Sequence, residues 1–177
     1  MSILDPSVEK TSLITKSTDS IKVDSLSIQK ILVLVDGTET SFRAANYAVN
    51  LAKLVNAELI PINIMEDVKQ GGAIGLLAKY GKMSIVKAFK MARRHSAESW
   101  LEEIEDEART LEVRVKSVIL DAEGRNEKKM LLEYAMKNNI DLVVVGSKRG
   151  SRFLGLGTSG FTKSILHQST KPVLIVH

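Results

Sequence analysis

Short runs of β-branched and aliphatic residues recur along this chain, each separated from the next by a stretch with helical spacing, and that rhythm leaves few folds open. "KILVLVD" at 30–36 is apolar without alternation and closes on Asp-Gly, the pattern of a strand covered on both faces. "ELIPINIM" at 58–65, "EVRVKSVIL" at 112–120, "DLVVVG" at 141–146 and "PVLIVH" at 172–177 repeat the theme. Strands alternating with helices in the order βαβαβαβαβ predict a single α/β unit. We expect a Rossmann-like, open, mostly parallel five-stranded sheet with helices on both faces.

The intervening segments fit that plan. In "SFRAANYAVNLAKLVN", Ala44, Tyr47, Ala48, Leu51 and Val55 fall at helical spacing, with Thr38 or Thr40 as the cap. Leu101, Ile104, Ala108 and Leu111 predict an amphipathic helix from Ala97 to near Glu112, and Met130, Leu131, Tyr134 and Ala135 mark the apolar side of another. "TKSILHQS" is a short last helix. Pro61 cannot donate to a ladder, so the second strand must meet an edge or an irregularity there. Residues 1–28 are polar, Ser- and Thr-rich and without a persistent period, and are expected to form an extension ahead of a domain at 29–177.

Composition removes several classes of function. The chain has no cysteine, which rules out disulfides, thiolate metal ligands and thiol nucleophiles and fits a reducing compartment. His95, His167 and His177 stand at no metal-binding spacing, and Asp121 and Glu123 fit a solvated turn. No apolar run approaches the ~18 residues of a membrane-spanning helix. The opening "MSILDPSVEKTS" lacks the order of a signal peptide, so a cytoplasmic location is expected. The net charge of +4 is local: from Gln70 to Ser96 there are Lys79, Lys82, Lys87, Lys90, Arg93 and Arg94 and no acid. That basic segment is expected to cover the site or to form a subunit interface, with nucleic acid disfavoured as a partner. Trp100 is expected to be a packing residue at the head of the next helix.

In open parallel sheets ligands bind beyond the carboxyl ends of the strands. The residues there are Asp36, Gly37 and Thr38 after the first strand, Ile64 near the end of the second, and Gly146, Ser147, Lys148, Arg149 and Gly150 after the fourth. From Gly146 to Thr162 the chain is rich in glycine, hydroxyls and cations, and no acid follows Asp141, a composition suited to holding phosphate on backbone N–H groups. Gly155-Leu-Gly157-Thr-Ser-Gly160 fits G-x-G-x-x-G by letter. It lies too far past its strand, without the acidic residue that contacts the ribose, to be a dinucleotide fingerprint, and there is no P-loop.

The first strand ending in Asp36, the Ala-rich helix, "DLVVVGS" and "TKSILHQSTKPVLIV" together resemble the universal stress protein family over Lys30 to His177. The resemblance implies that Asp36 contacts adenine, with Ile64 beside it, and that the loop after the fourth strand holds ribose and phosphates. Aligned without gaps from Gly146, Arg149 stands at the family's second glycine and Ser159-Gly160 where Gly-Ser is expected. With one inserted residue, Gly150 becomes the second glycine and Gly160 the third, followed by Phe161 and Thr162. The ligand implied is an adenine nucleotide, ATP with Mg²⁺, in a stress-linked regulator that works by conformational or association change. A homodimer through the C-terminal strand is also implied. The alternatives are a nucleotide-free adaptor docking a protein partner through the basic segment, and a nucleotide-dependent hydrolase or transferase, for which no base or nucleophile stands out.

Overall fold

The computed structural model describes residues 27–65, 72–147 and 160–177, with the backbone alone for 72–74. Five strands, β1 (Lys30–Leu34), β2 (Glu58–Met65), β3 (Val118–Asp121), β4 (Leu142–Gly146) and β5 (Val173–Val176), form one sheet in the order β3-β2-β1-β4-β5. Every pairing is parallel. The helices are α1 (Glu39–Val55), α2 (Gly72–Lys79), α3 (Met83–Thr110), α4 (Glu127–Lys137) and α5 (Gly160–Gln168).

Alternation along the strands sorts the core into two layers. Ile31, Val33 and Val35 of the β1 segment and Val144 of β4 point into a cluster with Ala44, Ala48 and Ala52 of α1 and Leu101, Ile104 and Ala108 of α3. Leu32, Ile62, Val143 and Val145 point the other way, against Met130 and Leu131 of α4 and Ile165 of α5. The sheet is therefore covered on both faces, as the unbroken apolar runs require.

Several expectations shift. The buried stripe of α1 is Ser41, Ala44, Ala45, Ala48, Val49 and Ala52, whereas Tyr47 and Val55 are exposed. Alanines let the helix axis approach the sheet, while Tyr47 and Leu54 are turned outward. The amphipathic helix expected from Ala97 extends back to Met83, and it stops at Thr110 before the left-handed Glu112.

β3 begins at Val118 rather than at residue 112. Pro61 accounts for that: the odd-numbered residues of β2 face β3, shown by the Leu59 N–H donating to the Arg114 carbonyl at 2.8 Å. Pro61 has no N–H to offer there, so an isolated bridge at Leu59–Val115 is separated from the regular ladder that starts at Ile62–Val118. In the gap, the Ser117 N–H turns away to the Glu105 carboxylate of α3 at 3.1 Å.

Candidate functional site

The chain leaves β1 for one edge of the sheet through β2 and β3 and returns to the other edge through β4 and β5, so the order reverses between β1 and β4. A crevice must open at the carboxyl ends there. Beside it lies a cavity of about 420 Å³, within the ~300–1,000 Å³ usual for small-ligand sites. Leu34, Asn63, Ile64 and Met65 form its strand side, Asp36 its rim, and Phe89, Ala92, Arg93, Ser96 and Trp100 of α3 one wall. Glu127 and Phe161, at the N-terminal turns of α4 and α5, close the opposite side.

Asp36 is held by local turn chemistry. Its Oδ1 accepts from the Thr38 N–H at 3.1 Å and from the Thr38 hydroxyl at 2.6 Å, while its own N–H donates to Ser41 Oγ at 3.3 Å. Thr38 in turn caps α1, its Oγ1 accepting from the Ser41 N–H at 3.3 Å. Gly37 between them has φ +78°, and a Cβ there would fall 2.3 Å from the Trp100 ring. The turn thus needs glycine twice over, for its left-handed backbone and for the ring lying on it.

Asn63 is a buried amide in an apolar strand, and its Nδ2 donates to the Val35 carbonyl at 2.7 Å. That bond holds β1 where it turns into Asp36. Ile64 beside it is buried and lines the cavity. On the other side of β1, Gly146 closes β4 opposite Val176, and a Cβ there would stand 2.6 Å from the Thr40 carbonyl oxygen. Its bare backbone lets β4 press against the start of α1. Ser147 is buried, its N–H bonded to the Val176 carbonyl at 2.7 Å and its Oγ without a partner among the described residues. An orphaned buried hydroxyl is a donor and acceptor in waiting.

Of the remaining predicted residues, Gly160 is the exposed first residue of α5, Phe161 lines the cavity, and Thr162 is buried behind it. Lys148, Arg149, Gly150 and Ser159 lie outside the described residues, as does the G-x-G-x-x-G look-alike up to Ser159. The structure therefore brings Asp36, Ile64 and Phe161 to one cavity and gives Thr38 and Gly146 supporting roles in its frame. Sequence reasoning missed Asn63, Arg93, Glu127 and, as a lining residue, Trp100. The signals were present: an amide interrupting "ELIPINIM", and the chain's one tryptophan at the head of an apolar helical stripe. Trp100 also packs on the core cluster beneath it, as expected. The basic segment contributes Phe89, Ala92 and Arg93 to the wall of this cavity.

Three comparisons bear on kinship. A universal stress protein of Methanocaldococcus jannaschii is 28% identical over 155 residues, covering 84% of this chain and 81% of that one. The solved universal stress protein UspA of Lactobacillus plantarum superposes with a TM-score of 0.70 at 19% identity, covering 85% of this chain and 98% of that one. A universal stress protein solved in complex with cAMP superposes with a TM-score of 0.59 at 23% identity, covering 85% and 98%. The model of the universal stress protein family matches residues 27–177, and with this sheet order and terminal βαβ unit the chain belongs to that family.

Proposed function

We propose that this protein binds an adenine nucleotide in the cavity at the carboxyl ends of β1 and β2 and acts as a stress-linked regulator. The observation that carries the reading is the cavity itself, which sets a carboxylate rim at Asp36 against an aromatic wall at Trp100 and Phe89. A purine offers the matching chemistry, a flat face to stack and an exocyclic amine to donate to a carboxylate. Relatives of the same fold have been solved with cAMP and, from Archaeoglobus fulgidus, with dAMP.

The phosphates would run toward Ser147, whose hydroxyl has no partner among the described residues, and toward the helix dipole at the α5 N-terminus. ATP is the form we propose. Its Mg²⁺ would be carried chiefly by the phosphates and water, as is usual for that ion. Binding would bias conformation or association by its differential affinity for two states. The domain so used would run from 29 to 177, in a cytoplasmic homodimer paired along β5.

The test is calorimetric titration of nucleotide-stripped protein with ATP, AMP and GTP. Adenine nucleotides are expected to saturate, with GTP weaker by roughly tenfold or more, about 1.4 kcal/mol. Asp36→Ala should weaken ATP by roughly ten- to 150-fold, the range of one hydrogen bond to a charged group. No binding of either adenine nucleotide up to millimolar concentration would overturn the reading and leave a nucleotide-free adaptor.

A further inference from the structure

The turn joining α2 to α3 is built as a rigid, exposed tip. The Lys82 N–H donates to the Leu77 carbonyl at 2.9 Å and the Gly81 N–H to the Ala78 carbonyl at 3.1 Å, with Gly81 at φ +73°. This is a Schellman closure, which satisfies the helix-end carbonyls locally. On this tip Leu76, Tyr80 and Met83 are 57%, 76% and 51% exposed, and Lys79 and Lys82 flank the tyrosine.

The surface continues along α3. Met83, Lys87 and Met91 recur every four residues and so share one stripe, with Lys90 beside it. Within α3 before Ala97, Val86 is the one buried side chain. No acid lies between residues 72 and 96. Arg94 is paired with Glu98 at 3.0 Å, whereas Lys79, Lys82, Lys87 and Lys90 form no ion pair among the described residues.

We propose that this tip docks on an anionic lipid bilayer, with Tyr80, Met83 and Leu76 entering the headgroup region and the lysines on the lipid phosphates. Charge and apolarity together select the partner. A nucleic acid would engage the lysines but leave Leu76, Met83 and Met91 in water. A second copy of the same surface would set Lys79, Lys82, Lys87 and Lys90 against their own kind. An anionic membrane surface satisfies both sets at once, the cations at the phosphates and the apolar groups at the acyl boundary. The tip is closed before docking, so little ordering opposes it.

Cosedimentation of the full chain with vesicles tests this. Binding is expected to vesicles of phosphatidylcholine with phosphatidylglycerol, not to pure phosphatidylcholine, and to weaken with salt. Lys79→Gln with Lys82→Gln should lower the partition coefficient roughly 25-fold on the usual contribution of a lysine near an anionic surface. Tyr80→Ser with Met83→Ser should also lower it roughly tenfold or more. Both double variants should keep the parent's circular dichroism and thermal midpoint, since these side chains are exposed. Three outcomes overturn the proposal: no binding to anionic vesicles, anionic binding that survives Tyr80→Ser with Met83→Ser and is matched by RNA, or self-association that the same pair abolishes.

Discussion

At Asp36 a structural role coincides with the ligand-facing role proposed for it. Its carboxylate closes the turn that starts α1 through Thr38 and also stands on the cavity rim. Thr38→Ala should therefore cost about 1 kcal/mol in chemical denaturation, the usual value of an N-cap. It should weaken nucleotide binding as well, because Asp36 loses a partner that fixes its orientation. Gly146→Ala is expected to cost about 1–3 kcal/mol by overpacking against the Thr40 backbone, which cannot rotate away as a flexible side chain would. The sequence draws Gly146 into an anion loop by spacing alone, and that packing reason is invisible without the α1 start in place. Asp-Gly after β1 is readable because turn chemistry is local; at Asn63 the sequence shows the amide but not its partner, the Val35 carbonyl, which is distant along the chain. Tyr134 has its pKa raised by burial and then by Glu58. Its phenol resists ionisation in the folded state, so stability should be unaffected below the ordinary tyrosine range and fall as pH rises through it. Tyr134→Phe should flatten that alkaline limb in denaturant midpoints measured against pH.

At the scale of elements, α3 does two jobs along its 28 residues. Its C-terminal half is seated by Leu101, Ile104 and Ala108 against β2 and α1, and its middle carries Phe89, Arg93 and Trp100 over the cavity. The wall is then only as firm as that seat. Leu101→Ala should lower unfolding stability by about 2–5 kcal/mol and weaken nucleotide affinity too, read by denaturation and calorimetry on the same sample. The seat was legible in the spacing from Ala97 onward. The earlier half reads as a basic helical pattern, but because it buries chiefly Val86 it has no apolar stripe to show that it is continuous with that seat. The late start of β3 has a similar cause. "EVRVKSVIL" alternates well, but alternation says nothing of whether the neighbouring strand has an N–H to offer, and Pro61 does not.

For the molecule as a whole, the rhythm of strands and helices dictated a parallel sheet, while the order β3-β2-β1-β4-β5 came only with the structure. That order is what sets Asp36 near the reversal of strand order, and it leaves β5 as an edge. The carbonyls of Pro172 and Val176 accept from Val143 and Ser147, so by alternation the backbone of Ile175 faces outward. Pairing of two copies along β5 would cover it. Ile175→Pro removes one outward N–H without touching the β4 ladder, and is expected to convert a dimer into a monomer in sedimentation equilibrium. The chain's one tryptophan lines the cavity proposed for the nucleotide. Titrating stripped protein with ATP while following Trp100 emission therefore reads occupancy directly. A saturable change is expected, with its midpoint moved to higher ATP in Asp36→Ala; emission that stays flat up to millimolar ATP with Mg²⁺ would rule out nucleotide binding at this cavity.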